Sequence, residues 1–258
     1  MEPGQPSRTA WGAARHRAAH QLLEGGAVFA DPLAMQILGA TPEDLRAEAA
    51  AYPQRAPLRF FIAARSRFAE DRLAEGVDAR GIAQLIVLGA GFDTQAYRNR
   101  LPGLRVFEVD HPATQAWKRA RLAAAGFDPG RRSFFAWLGV VPYLSEDAIR
   151  TTLTMIAGLP GGAEVVFDYG EPADGLSGRA AEAHRELAER VAAAGEPLRT
   201  RFAPEALHAL LGELGFARLE DCGAVELAEL YLGPATAAAV RAIPPGQRRG
   251  AHVIHAAT

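Results

Sequence analysis

The chain has 258 residues, of which 49% are hydrophobic and 22% are charged, so it can bury a full core as one domain with an added cap. Its formal net charge of −2, from 28 basic and 30 acidic residues, gives no reason to expect a nucleic acid or a membrane surface as partner. No apolar run approaches the roughly 18 residues that would span a bilayer. A single cysteine, Cys222, rules out an internal disulfide and indicates a cytoplasmic protein.

Helices are predicted ahead of the first strand. Residues 8–23 have helical character, and a second helix is expected at 31–38, with Asp31 as its N-cap and a proline in its first turn. A longer helix is predicted at 58–75, where apolar positions recur every three and four residues. Together these elements predict an N-terminal helical cap over residues 1–78.

Strands alternate with helices through the rest of the chain. They are predicted near residues 84–88, 104–109, 133–140 and 163–168. Two further helices at 178–194 and 204–214 precede two closing strands, Phe216–Leu219 and His252–His255. This alternation is typical of a parallel sheet covered on both faces. The sequence therefore predicts an α/β protein with a doubly wound, mostly parallel sheet, whose main domain is residues 79–258.

The turn after the first strand is the most specific feature of the chain. One apolar run ends at Gly89 and Gly91, and a second ends about twenty residues later at Asp110. Glycines let the backbone approach a ligand, and such an acid binds ribose hydroxyls, so the pattern predicts a nucleoside site. Thr94 stands where a dinucleotide fold has a third glycine, and Asp93 adds charge that opposes a pyrophosphate. These features favour S-adenosylmethionine (SAM) over a nicotinamide cofactor; a plain strand-to-helix turn and a nicotinamide oxidoreductase are the alternatives.

Five segments carry a resemblance to a known family. They are residues 87–98 (VLGAGFDTQAYR), 107–112 (FEVDHP), 137–144 (WLGVVPYL), 31–34 (DPLA) and 65–68 (RSRF). In them the chain resembles the leucine carboxyl methyltransferase family, in particular its bacterial branch of small-molecule O-methyltransferases. The resemblance implies a Rossmann-like class I methyltransferase fold, SAM as cofactor, and methyl transfer to a carboxylate or hydroxyl of a small metabolite by a monomer or homodimer.

The resemblance also implies a set of cofactor contacts. Arg65 would bind the carboxylate of SAM, Gly89 and Gly91 would allow the backbone to approach it, and Asp110 would bind its ribose. A guanidinium matches a carboxylate in bidentate geometry, although Arg65 could instead form a helix-surface ion pair with an acidic residue, Glu70 or Asp71, about one turn further on. At the cofactor position Leu138, many relatives have a glutamate that contacts SAM.

The chain also departs from the family in length. Only 23 residues separate Asp110 from Phe134, where relatives have room for another strand and helix. In the family the absent segment carries an acidic residue near the adenine. The absent segment and Leu138 together predict that SAM binds more weakly or that other residues replace the lost contacts. A degenerate family member without turnover is the alternative function.

Methyl transfer from a sulfonium is an in-line displacement, so alignment and water exclusion supply most of the rate. A carboxylate acceptor needs no base at pH 7, whereas a phenol with a pKa of about 10 benefits from one. His111 could be that base or have a surface role, and Tyr143 and Tyr169, which are both predicted to lie after strands, could line the acceptor pocket. Asp168 either faces the pocket or caps a helix. One histidine pair on the first helix lacks a third ligand, so no metal site is predicted.

Overall fold

The computed structural model describes residues 7–109, 126–248 and 250–258. Its strands are β1 (Gln84–Leu88), β2 (Arg105–Val109), β3 (Ser133–Trp137), β4 (Ala163–Gly170), β5 (Arg218–Cys222) and β6 (Ala251–Ala257). Within the described residues they form one sheet in the order β2-β1-β3-β4-β6-β5. The first four strands are parallel, and β6 is antiparallel to both β4 and β5. The predicted α/β fold with a mostly parallel sheet is thus confirmed.

The helices of the described residues are α1 (Arg8–Leu23), α2 (Ala34–Leu38), α3 (Pro42–Ala51), α4 (Ala56–Arg80), α5 (Gln95–Arg98), α6 (Glu146–Ala157), α7 (Gly178–Ala193), α8 (Pro204–Glu213), α9 (Ala224–Tyr231) and α10 (Pro234–Ala242). Short 3₁₀ turns lie at Pro53–Arg55, Val141–Tyr143, Ala173–Gly175 and Pro245–Gln247. The bounds predicted for α1 are confirmed. The division into a cap at 1–78 and a domain at 79–258 stays a prediction, and α4, within that cap, packs directly on the sheet.

Two predicted boundaries are wrong for physical reasons. Asp31 is not a helix cap: α2 begins at Ala34 with Leu33 as its N-cap, and Asp31 is fully buried against an arginine of α1. The third strand ends at Trp137 rather than near residue 140, because Gly139 adopts a left-handed backbone with φ of +73°. The helix prediction failed because the partner of Asp31 is distant in sequence. The strand prediction failed because a turn lies inside the apolar run.

The sheet is buried on both faces. One face packs against α6 and α8, with a core that includes Phe135, Phe167, Tyr169, Leu153 and Leu207. The other face packs against α4, with a core that includes Leu85, Phe134, Val166, Phe68 and Leu73. Every residue of β1 and β3 is buried, as expected for central strands of a parallel sheet. Successive residues of β4 therefore point to opposite helix layers.

The strand order decides where a ligand can bind. The chain leaves β1 toward β2 on one side and returns to β3 on the other, so the connections diverge between β1 and β3. Ligands of open α/β sheets bind at such a switch point, beyond the carboxyl ends of the strands. The segments that follow β1, β3 and β4 meet there.

Candidate cofactor and acceptor site

A cleft of about 1970 Å³ opens at the carboxyl edge of the parallel strands. On its cofactor side lie the glycine loop (residues 89–94), α1 and α4; on its acceptor side lie the end of β4, α7 and residues 195–201. A pocket for one drug-sized ligand has about 300–1,000 Å³. The cleft therefore has room for a cofactor and a second molecule.

The two predicted cofactor glycines lie in this cleft, and both have left-handed backbones. Gly89 has φ of +71° and Gly91 has φ of +48°. A Cβ on Gly89 would lie 2.5 Å from Cγ2 of Val140, and one on Gly91 would lie 3.0 Å from Cβ of Ala10. The Gly89 amide donates to the carbonyl of Val109 at 2.7 Å. Glycine is thus required at both positions for conformation and for space, because a side chain there would crowd Val140 or Ala10.

Arg65 is buried on α4 and extends into the same cleft. Its Nη1 donates to Oδ2 of Asp168 at 2.5 Å, and Oδ1 of Asp168 accepts from the Gly139 amide at 2.6 Å. The alternative of a helix-surface ion pair is not observed, because Glu70 pairs with Arg98 and the buried Arg65 does not reach it. Asp168 faces the pocket from within β4 and caps none of the described helices.

The Nε atom of Arg65 is buried and has no hydrogen-bond partner among the described residues. A guanidinium has five N–H donors in a fixed fork, and Asp168 takes only one of them. The remaining N–H donors of Arg65, together with the glycine loop, fit the amino-acid end of SAM.

Two more predicted residues line the cleft beside β3. Leu138 follows the strand and packs against the α4 side of the core. Tyr143 ends the 3₁₀ turn after β3. Burial raises the pKa of the Tyr143 hydroxyl, and the cation of Arg65 only partly offsets this. The hydroxyl is therefore protonated at pH 7, which favours a positioning role over that of a base.

Asp110 and His111 lie outside the described residues, so their assignment to the ribose and to base catalysis stays a prediction. Strand β2 ends at Val109, which lines the cleft.

The interpretation of Tyr169 as a residue after a strand is wrong. Tyr169 lies within β4, and its hydroxyl donates to Oδ2 of Asp221 at 2.5 Å. Its ring stacks on His252 with centroids 5.0 Å apart. Burial and the Asp221 carboxylate raise the pKa of Tyr169. Because Asp168 and Tyr169 are consecutive in a strand, their side chains point to opposite faces, so the Tyr169 hydroxyl does not face Arg65.

Sequence reasoning missed a chain of ion pairs that joins α1, α4 and the loop before α2. Arg17 Nε contacts Oδ2 of Asp31 at 3.1 Å, and Arg98 Nε lies 3.4 Å from its Oδ1. Arg98 Nη2 also contacts Oε1 of Glu70 at 2.7 Å. Asp31 has no exposed side-chain surface. The only sequence signal for it was its place in the DPLA segment.

Arg17 and Arg98, the two arginines of these ion pairs, also hold the glycine loop. Arg17 Nη2 donates to the carbonyl of Phe92 at 2.5 Å, and Arg98 Nε donates to Oγ1 of Thr94 at 2.8 Å. Helix α1, which precedes the sheet, and helix α5, which follows β1, therefore both hold the loop in which the cofactor glycines are predicted.

The start of α1 crosses from the cofactor side to the acceptor side. The Ser7 hydroxyl and the Thr9 amide both donate to Oε2 of Glu196, each at 3.1 Å. Tyr143 lines the same cleft, and Glu196 and Thr9 both affect the pKa of its hydroxyl. The bridge therefore joins the two sides of the cleft.

On the acceptor side, α7 presents a mostly apolar stripe to the cleft. Its members recur every three to four residues: Ala180, Ala183, Leu187, Val191 and Ala194. His184 is a polar exception within the stripe, and burial together with the nearby Arg201 lowers its pKa.

In the described ranges no group of three His, Cys, Asp or Glu side chains is arranged to hold a metal ion. Among the same residues, no helix is both long and apolar enough to cross a membrane.

Comparison with solved structures addresses the fold. A DUF574 family protein from Streptomyces avermitilis matches 95% of this chain and 96% of its own, with a TM-score of 0.56 and 15% identity. A Thermobifida fusca protein, assigned only by its name to the methyltransferases, matches 99% of this chain and 96% of its own, with a TM-score of 0.55 and 16% identity. The predicted class I methyltransferase fold is confirmed.

Comparison of sequences addresses the family. A protein of Streptomyces coelicolor, assigned by name to the S-adenosyl-L-methionine-dependent methyltransferases, is 32% identical over 188 residues. This alignment spans 60% of the chain and 66% of the relative. A Bacillus subtilis protein with the same assignment is 28% identical over 184 residues, or 58% of the chain and 59% of the relative.

The sequence model of the leucine carboxyl methyltransferase family matches residues 10–125 and 119–157, together more than half of the chain. The two matched pieces meet where the sequence analysis placed the missing segment. The match includes α1, α4, the glycine loop and Leu138, which are the elements that build the cofactor side of the cleft. The chain therefore belongs to the leucine carboxyl methyltransferase family.

Proposed function

We propose that the chain is a SAM-dependent O-methyltransferase that acts on a carboxylate or hydroxyl oxygen of a small metabolite. The observation that carries this proposal is the position of Arg65. The side chain is buried, and Asp168 holds it in the cleft that the glycine loop also lines. Its Nε–H donor has no partner among the described residues. Family membership and the SAM-dependent assignment of the relatives support the cofactor.

The charges of the site suit the amino-acid end of SAM, which carries both an ammonium and a carboxylate. The free donors of Arg65 would bind the carboxylate, and the Asp168 carboxylate would attract the ammonium. Gly89 and Gly91 would let the loop backbone approach the nucleoside, while Leu138 would give it an apolar contact. Asp110 would bind the ribose hydroxyls.

Bound SAM supplies an electrophilic methyl group, so the protein's task is to align an oxygen with it and exclude water. The protonated Tyr143 hydroxyl can donate a hydrogen bond to the acceptor and orient it. The α1 bridge on Glu196 would limit solvent access. A carboxylate acceptor then needs no further catalyst, and a hydroxyl acceptor would use His111 as the base.

A degenerate family member, which keeps the fold but has no turnover, is the second candidate. Leu138 and the shortened segment favour it, because both remove a cofactor contact that relatives have. Binding of SAM without methylation of any acid or alcohol in a broad acceptor screen would support this candidate.

The assignment of Arg65 is tested by Arg65→Ala. We expect the affinity for S-adenosylhomocysteine (SAH) to fall at least tenfold in calorimetry, because a charge-assisted contact with a carboxylate contributes about 1.5–3 kcal/mol. Adenosine, which lacks the carboxylate, should bind the variant and the wild type alike.

The matched control is Arg67→Ala, on the same helix, since Arg67 is half-exposed and pairs with Asp71. It should change neither affinity. Equal losses of SAH and adenosine binding in Arg65→Ala would show that Arg65 is structural.

A further inference from the structure

We propose that the methyl acceptor is an apolar molecule with an anionic group, that Arg201 binds this group, and that the inner stripe of α7 covers the apolar body. The inference rests on the proposed function, since it assigns the acceptor part of the same cleft.

Arg201 is held in place by the backbone on either side of it. The Thr200 hydroxyl donates to the carbonyl of Leu144 at 2.5 Å, and the Phe202 amide donates to the carbonyl of Gly170 at 3.0 Å. The segment is thus attached to the turn after β3 and to the end of β4. The Arg201 side chain leaves this segment at the carboxyl edge of the sheet, half-buried in the cleft.

Both hydrogen-bond partners of the Arg201 guanidinium are uncharged. Nη1 donates to the carbonyl of Glu171 at 2.8 Å, and Nη2 lies 2.9 Å from Nε2 of His184. Burial and the Arg201 cation lower the pKa of His184, so the imidazole is neutral at pH 7. Across the described ranges, no carboxylate forms an ion pair with Arg201, and burial alone lowers its pKa.

A half-buried cation without a counter-charge is costly, because burial removes water that the protein does not replace with an anion. Within the same cleft Arg65 and Arg98 both have carboxylate partners. Arg190 and Arg199, both exposed, add further positive charge to the acceptor side. We therefore expect a bound ligand to supply the negative charge that neutralises Arg201.

The rest of the acceptor side is apolar. The α7 stripe defined above faces the cleft, and Leu144, Leu176 and Leu198 line the same region. An amphipathic helix usually buries such a stripe in the core, but Leu187 and Ala183 stay partly exposed. A ligand with an apolar body would remove this surface from water.

The anion site is close enough to the cofactor side for one small molecule to reach both. Nη1 of Arg201 lies 3.2 Å from where a Cβ on Gly170 would be. Gly170 is two residues beyond Asp168 in β4, which is about 7 Å along a strand. A small acceptor can therefore keep its anionic group on Arg201 while it extends toward the Arg65–Asp168 pair.

Three ligands with the same apolar body and different head groups test this inference: 4-phenylbutyrate, 4-phenylbutanol and 4-phenylbutylamine. Each is titrated by calorimetry into the wild type saturated with SAH. We expect the acid to bind at least tenfold more tightly than the alcohol and the amine to bind most weakly. Arg201→Gln should lower the affinity for the acid to that for the alcohol and leave the alcohol unchanged.

Two further variants keep the test decisive. Arg201→Lys retains the positive charge but lacks the planar, forked guanidinium, so it should keep part of the preference for the acid. Arg185→Gln, an exposed arginine of α7 that does not line the cleft, should behave as the wild type. Melting temperatures report whether each variant is folded.

Equal binding of acid and alcohol by the wild type would overturn the inference, as would binding of none of the three by the SAH complex. Retention of the full acid preference by Arg201→Gln would also overturn it. Failure of the wild type to bind SAH is a different result: it would contradict the proposed function, and this inference with it.

Discussion

The two sides of the cleft differ in how their arginines are neutralised. On the cofactor side, arginines pair with carboxylates of the same chain: Arg65 with Asp168, Arg17 with Asp31, and Arg98 with Glu70. On the acceptor side, Arg201 has a carbonyl and a neutral imidazole as partners. The first arrangement suits a ligand end that carries both signs of charge. The second suits a ligand that brings a negative charge.

The difference extends to how firmly each side is fixed. The glycine loop is held by hydrogen bonds from Arg17 of α1 and from Arg98, and both arginines pair with the buried Asp31. The acceptor wall is held by backbone hydrogen bonds and leaves its apolar stripe partly exposed. A cofactor that every turnover requires is expected to use the pre-organised side. Specificity for the acceptor is expected to reside on the other side.

The largest effect is expected for Asp31→Asn. It removes the charge that Arg17 and Arg98 share in a fully buried position, so we expect the free energy of unfolding to fall by about 3–5 kcal/mol. We also expect SAH affinity to fall about tenfold, because both arginines then hold the loop less firmly. Urea denaturation and calorimetry measure the two effects.

Glu164→Gln is the control for this variant. Glu164 is equally buried, and it pairs with Arg80 and His255. It lies near the start of β4, at the end of that strand opposite to the cleft. Burial opposes ionisation, but the bonds from His255 and Arg80 lower the pKa of Glu164 to about 2. Its loss should destabilise the protein comparably and leave SAH affinity unchanged. Similar losses of affinity in both variants would mean that the cap acts only through general stability.

A smaller effect is expected for Asp110→Ala. Loss of the ribose contact should weaken SAH binding by about 1–3 kcal/mol, from the unpaired hydroxyls. Asp128→Ala removes an exposed carboxylate after β2 and serves as the control. An unchanged SAH affinity in Asp110→Ala would contradict the nucleoside assignment and leave Arg65 as the main determinant of the cofactor side.

The smallest effect is expected for Glu196→Gln, which weakens the bridge between the two sides. Oε2 of Glu196 accepts from Ser7 and Thr9, and each such bond contributes about 0.5–1.5 kcal/mol. We expect SAH to dissociate several times faster, as measured by stopped-flow displacement. Glu189→Gln, exposed on α7 and outside the cleft lining, should leave the rate unchanged. A rate equal to that of the wild type would show that α1 does not close the cleft.

The predictions for the cofactor side rest on local patterns, and the structure places Arg65, Gly89 and Gly91 in one cleft. The run before Gly89, the spacing to Asp110 and the resemblance around Arg65 are all features of short segments. Apolar periodicity likewise predicted the long helix α4, and the apolar runs predicted the strands to within a few residues. These features depend on near neighbours, which a sequence displays directly.

The features that sequence reasoning missed depend on contacts between distant segments. Asp31 resembled a helix cap, but Arg17 and Arg98 bind it in the folded chain. Tyr169 does line the cleft, but it lies within the strand rather than after it, and its hydroxyl donates to Asp221. Arg201 gave no signal, since its lack of a carboxylate partner is visible only after folding.

The central claim is that the cofactor side still forms a SAM site in spite of the shortened segment. Calorimetric titration of the wild type with SAM and SAH, with NADH as control, tests it most directly. The account predicts micromolar binding of SAM or SAH and no binding of NADH. A protein that unfolds cooperatively but binds neither SAM nor SAH, or that binds NADH instead, would contradict it.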